Sequence, residues 1–159
     1  MSPKKKPNQS PTIENRKARH DYEILDTLEC GIALLGSEVK SVRNGKVSLA
    51  EGYVRAQAVP PALYLHSVNI AEYGPAGPVA HEPTRTRKLL AHTREIDKLL
   101  RQVDQKGVTL IPLKMYFVNG YAKVLIGLGK GRRAHDKRQA IAERENRREL
   151  DRAMSKRMR

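Results

Sequence analysis

The Asn119-Gly120 dipeptide lies between two runs of alternating apolar residues, and no other feature of the chain constrains its fold as strongly. Both residues tolerate positive φ, which a two-residue hairpin turn needs if it is to match the twist of its strands. The flanking runs, Val108–Val118 and residues 121–129, are therefore predicted to pair antiparallel. Ile111, Leu113, Met115 and Phe117 fall on one face of the first run, and Val124, Ile126 and Leu128 on one face of the second. Ahead of the hairpin, Ile96, Leu99, Leu100 and Val103 recur at helical spacing, with Thr93 as candidate N-cap and Gly107 as stop signal.

Further upstream, Tyr22, Ile24 and Leu28 alternate with Glu23, Thr27 and Glu29, and residues 31–35 form a compact apolar run. The pattern predicts two strands joined by a tight turn at Glu29, Cys30 and Gly31. Ser37 is placed to cap a short helix that Asn44-Gly45 closes. Residues 53–57 and 62–68 read as two more strands, and residues 71–83 as a Pro/Gly-rich loop. Six short strands without a βαβ rhythm predict a mostly β fold with flanking helices, a six-stranded antiparallel OB-like barrel over residues 13–131. With no Trp and one Phe, its core must be aliphatic, and the single cysteine, Cys30, excludes an internal disulfide.

Charge divides the chain differently. Of the formal +14, residues 1–19 hold six basic and one acidic residue, residues 130–159 twelve and five, and the 110 between thirteen and eleven. A near-neutral body with two basic arms is suited to a polyanion. Residues 1–12 contain almost no apolar side chains and cannot offset an ordering entropy of about 1–2 kcal/mol per residue, so a disordered arm is expected. Residues 132–159 combine helix formers with pairs such as Glu143/Arg147 and Glu149/Arg152. Their apolar file of Leu150, Met154 and Met158 is too narrow to hold a helix on the barrel, so this tail is expected to be disordered when free and helical when bound. No apolar stretch approaches the ~18–20 residues that span a bilayer, and a cytoplasmic chain without a membrane partner is expected.

The sequence predicts no catalytic residue, no cofactor and no metal. Gly127, Gly129 and Gly131 lack dinucleotide-fingerprint spacing and read as a flexible exit from the last strand, and Gly45-Lys46 is followed by Val47 where a phosphate loop needs Ser or Thr. The five histidines are scattered singly, which suits surface or satisfied core positions better than a metal site. Three basic clusters, residues 16–20, 85–88 and 130–138, together with the arms favour nucleic acid. RNA is preferred over DNA because nothing here supplies a helix-turn-helix or zinc finger for a major groove.

Four segments carry a more specific likeness: Asn15 to Tyr22; Gly36-Ser37-Glu38-Val39-Lys40-Ser41-Val42-Arg43-Asn44-Gly45; Pro83 to His92 with Glu95-Ile96; and Gly129-Lys130-Gly131-Arg132-Arg133 with His135-Asp136-Lys137-Arg138. In this order they closely resemble the small protein B, or SsrA-binding protein, family of bacterial trans-translation. The resemblance implies an OB-like barrel that binds the tRNA-like domain of transfer-messenger RNA as a monomer. It also implies a tail that folds in the decoding centre and empty mRNA channel of a stalled ribosome. A general ribosome-associated or chaperone-like RNA binder is the alternative.

Carried over from the family, the RNA-facing residues are Glu29, Lys40, Arg43, Leu90 and His92, bordered by Arg19 and His20. Glu29 would accept hydrogen bonds from base or 2′-hydroxyl donors, while Leu90 is compatible with either a contact or a core position. In the tail, Lys130, Arg132 and Arg133 would meet ribosomal RNA phosphates, His135 would stack on a base, and Asp136, Lys137 and Arg138 would start the helix. Gly52, Ala91 and Gly129 depart from the family pattern, in which larger residues are usual.

Overall fold

The structure, a computed structural model, describes residues 10–74, 81–104, 107–132 and 134–157. The C-terminal hairpin is as the Asn-Gly signal predicts. β8 (Val108–Val118) and β9 (Tyr121–Gly131) pair antiparallel, with Asn119 and Gly120 at φ of 51° and 83°. The other long strand, β2 (Tyr22–Ile32), lies along β9. A ring then closes through β4 (Tyr53–Gln57), β5 (Ala62–His66) and β7 (Arg87–Leu90), in the order β8-β4-β5-β7-β2-β9-β8. Two residues of β1 (Ile13–Glu14) add to β8, and β3 (Val47–Ser48) with β6 (Asn69–Ile70) make a separate pair.

The ring has six strands, but not the six predicted. The turn expected at Glu29, Cys30 and Gly31 does not exist: β2 runs straight through it, because Cys30 and Ile32 continue the inward alternation of Leu28. The sixth strand is β7, whose period was hidden by Arg87, a charged residue at an inward position. The expected single apolar face of β8 is also split. The register shifts at Leu113, so Leu110, Met115 and Phe117 enter the barrel core while Ile111 and Leu113 point outward. A matching shift in β2 between Ile24 and Asp26 turns Ile24 outward.

The outward residues form a second, smaller core with Tyr22 and Leu125, roofed by Ala18 of α1 (Arg16–Asp21). Here the glycines of β9 find their reason. A Cβ on Gly127 would lie 2.7 Å from Leu113 Cδ1, and one on Gly129 would lie 3.1 Å from both Ile111 Cδ1 and Tyr22 Cβ. They are close-approach positions inside a strand, not a flexible exit. Gly52 is tighter still, its Cβ position being 2.6 Å from Val68 Cγ2 and 2.9 Å from the Pro112 ring. Buried Asn15 ties α1 down: Oδ1 accepts from the Ala18 amide (3.1 Å), while Nδ2 donates to the Leu49 (3.1 Å) and Pro112 (2.9 Å) carbonyls.

Three further helices complete the fold. α2 (Gly36–Arg43) is capped at Leu35 rather than Ser37, the Glu38 carboxylate accepting from the Leu35 amide (2.9 Å), and it ends at Asn44 and Gly45 (φ 71°). α3 (Thr93–Val103) is capped at His92 rather than Thr93, with Glu95 accepting from the His92 amide (3.0 Å). It buries Ile96 and Leu99 and half-buries Leu100 and Val103, as its spacing predicts. α4 (Ala134–Arg157) spans about 36 Å at ~1.5 Å per residue. The tail is thus in the helical form expected of it. Every residue from Ile141 to Arg157 is exposed. α4 touches α1, where Arg144 Nη2 donates to the Arg19 carbonyl (2.9 Å). The disordered arm expected for residues 1–12 lies largely outside the described residues, as do residues 75–80 of the expected loop.

Candidate nucleic-acid interface

A continuous outward row crosses four strands at one end of the barrel. Strand register sets Tyr116 of β8 opposite Lys123 of β9, Lys123 opposite Gly31 of β2, and Gly31 opposite Leu90 of β7. Glu29 stands two residues before Gly31 on the same face and accepts a short hydrogen bond from the Tyr116 hydroxyl. Burial, and then this carboxylate, push the Tyr116 phenol up to about 12, so it stays a donor and holds Glu29 in place. Gly31 matters because a Cβ there would meet Leu90 Cβ at 3.2 Å. Leu90 is 54% exposed, which settles its role as a surface residue and not core.

Exposed His92 follows Leu90 at the start of α3. Arg43 at the end of α2 reaches the same rim, its guanidinium 5.5 Å from the Phe117 ring centroid, while Lys40 lies 5.2 Å over the Tyr73 ring. Glu29, Arg43, Leu90 and His92 therefore share one end of the barrel, with Lys40 one turn away on α2. The site combines an exposed apolar residue, a fixed carboxylate acceptor and separated cations, features suited to base edges and 2′-hydroxyls as well as phosphates. Sequence reasoning missed Lys123 and Tyr116, although the Asn119-Gly120 turn already sets them opposite each other; their place beside Glu29 comes from the register of β2 on β9.

Arg19 and His20 do not border this row. They sit on α1 before Tyr22, and the seven steps from Tyr22 to Glu29 span about 23 Å at ~3.3 Å per residue. They belong instead with the root of the tail: His20 Nδ1 lies 2.9 Å from Asp21 Oδ1, Lys130 pairs with Glu23 in register, and the Arg132 amide donates to the Asp21 carbonyl (2.9 Å). The Arg132 side chain, half-buried, lines a cleft of about 280 Å³ with Arg144, Arg147 and Glu143. Exposed Arg138 lies on α4; Arg133 and the side chains of His135, Asp136 and Lys137 lie outside the described residues.

The two arginines of the 85–88 cluster are not an interface. Arg85 grips the Glu38 carboxylate with Nε (3.0 Å) and Nη2 (2.9 Å), and Arg87 donates to it from Nε (3.0 Å). Arg87 also donates to the Val68 (2.8 Å) and Pro83 (3.0 Å) carbonyls, and both it and Glu38 are wholly buried. Burial alone would raise the Glu38 carboxyl. Hydrogen bonds from Arg85 and the Leu35 amide, and the charge of Arg87, outweigh burial and hold it below its ordinary range. Nearby His81 is a satisfied core histidine: Nε2 donates to the Ile70 carbonyl (2.9 Å), leaving Nδ1 to accept from Ser37 (2.9 Å). Burial pushes the Cys30 thiol up to about 12, which makes it inert. Among the described residues no cluster of His, Cys, Asp or Glu could hold a metal, and no helix is long and apolar enough to cross a membrane.

An OB-like barrel bearing an exposed row of polar groups and a basic helix is the build of an RNA-binding protein. Comparison with known proteins gives the particular family. The family model for the SmpB protein matches residues 12–156. An SsrA-binding protein of Thermosynechococcus vestitus is 50% identical over 145 residues, covering 91% of this chain and 94% of the relative. One from Salinispora arenicola is 52% identical over 143 residues, covering 90% and 89%. A solved structure described as "tmRNA-SmpB: a journey to the center of the bacterial ribosome" matches with a TM-score of 0.67 and 49% identity, over 83% of this chain and 95% of that one. The chain belongs to the SmpB family of SsrA-binding proteins.

Proposed function

We propose that this chain is a bacterial RNA-binding adaptor, not an enzyme. It binds the tRNA-like domain of transfer-messenger RNA and delivers it to stalled ribosomes for trans-translation. The observation that carries this reading is the half-identity to SsrA-binding proteins over nine-tenths of the chain, together with the match to a chain from a tmRNA-SmpB structure. On this reading the row Glu29, Lys123 and Leu90, with Arg43 and His92, faces the RNA, and Lys40 adds charge at its rim. Tyr116 acts through Glu29 as a positioning residue. The tail, with Lys130, Arg132, Arg133, His135, Asp136, Lys137 and Arg138 at its root, enters the decoding centre and the empty mRNA path. A helix with exposed cations all round suits a channel walled by phosphates. The protein works in the cytoplasm, on the ribosome.

Two measurements test this. Sequencing the RNA that co-purifies with the full chain should return transfer-messenger RNA as the dominant species; a broad mixture would favour a general RNA binder. In gel shifts with transfer-messenger RNA, Glu29→Ala, His92→Ala and Lys123→Ala should each weaken binding about ten-fold, the order of one or two lost polar contacts. All three side chains lie outside the barrel core. Unchanged affinity in all three would show that the face is wrong.

A further inference from the structure

We infer that the cleft between α1, the start of β2 and the start of β4 is a second RNA site. It takes one unpaired base of a single-stranded segment whose backbone crosses the outer face of β4, β5 and β7. The cleft holds about 270 Å³. That is below the ~300–1,000 Å³ of sites that enclose drug-sized ligands, so it suits one ring system rather than a whole cofactor. Tyr22 and Tyr53 both line it. Tyr53 is 39% exposed and backed by His66, the two rings lying 5.1 Å apart and 9° from parallel. An aromatic ring held flat by a neighbour is a ready stacking platform, and stacking tolerates any base.

Charge is arranged to follow the strand. Lys17 stands at the cleft and meets Glu51 at 3.1 Å, both side chains being largely exposed. Such a pair is worth about 0–1 kcal/mol, so a phosphate can displace the carboxylate. Next to the Tyr53–His66 stack, register sets Arg55 opposite Tyr64 and Tyr64 opposite Lys88. All three point outward, because Val54, Leu63, Leu65 and Leu89 between them fill the core. A second aromatic flanked by two cations thus continues the path, the combination by which sheet surfaces bind single strands. This site uses none of Glu29, Leu90 or Lys123.

The test irradiates the full-length protein with a single-stranded octanucleotide carrying one 4-thiouridine, at salt high enough to suppress the tail's nonspecific attraction. Cross-links should fall on peptides containing Tyr22 or Tyr53. Tyr53→Ala and Lys17→Ala, both surface changes, should weaken octanucleotide binding about five-fold or more without lowering the Tm. Lys123→Ala on the other face should leave it within about two-fold. Cross-links confined to the Glu29 face or the tail overturn the site. So does octanucleotide binding that survives both Tyr53→Ala and Lys17→Ala, or that falls with Lys123→Ala.

Discussion

The arginines of residues 85–88 and those of α4 read alike in the sequence and do opposite things in the molecule. Arg87 is wholly buried and, with Arg85, closes on the Glu38 carboxylate, which pins α2 to β7 and to the loop before it. Arg144, Arg147, Arg148 and Arg152 stand exposed along α4. A basic cluster therefore says nothing about available charge until its acids are located. The missing acid here was Glu38, 47 residues before Arg85, in a segment that looks like a helical surface.

Breaking the buried group should produce the largest effect. Arg87→Ala leaves a buried carboxylate with one partner fewer and frees two buried carbonyls; we expect a loss of about 3–5 kcal/mol in denaturant unfolding. A loss under about 1 kcal/mol would mean the group is not structural. Acid should act on the same group. The Glu38 carboxyl is held below its ordinary value when folded, so its contribution is present above the unfolded value and is lost as pH falls through the folded one. The Tm of the parent should fall below about pH 5, and Glu38→Gln, although less stable at neutral pH, should lose less over that window.

The exposed arginines sharpen the contrast from the other side. Arg148→Ala should change stability by no more than about 0.5 kcal/mol. Its effect should instead appear in binding to the ribosome, where the slope of log affinity against log salt should become shallower by up to about 0.7–0.9. A destabilisation as large as that of Arg87→Ala would erase the distinction between the two sets.

How far the sequence disclosed this fold follows from which signals are local. The Asn119-Gly120 turn, the α3 face and the six-strand barrel class were all legible, because each rests on a period or a turn residue. The bulge at Leu113 was not, since one extra residue leaves the alternation looking intact while reversing which side chains face inward. The same bulge explains why Gly127 and Gly129 looked like a flexible exit: their partners Leu113 and Ile111 were assigned to the other face. Strand β7 was hidden for a different reason, a buried arginine that only a distant glutamate makes tolerable. Of the interface, Lys40, Arg43, Leu90 and His92 lie in the family motifs and Glu29 was carried over with them, whereas Lys123 and Tyr116 needed the register.

On the proposed function the barrel recognises the RNA and the exposed tail serves the ribosome. Removing residues 132–159 tests it most directly, with three readings on one truncated protein: Tm, affinity for transfer-messenger RNA, and tagging of peptides on stalled ribosomes. The Tm should stay within about 2 °C of the full chain, since α4 is exposed from Ile141 to Arg157, and RNA affinity within a few-fold, since Glu29, Arg43, Leu90, His92 and Lys123 all remain. Tagging should be abolished. A truncated protein that still tags at the full rate, or one that unfolds or loses transfer-messenger RNA altogether, would contradict it.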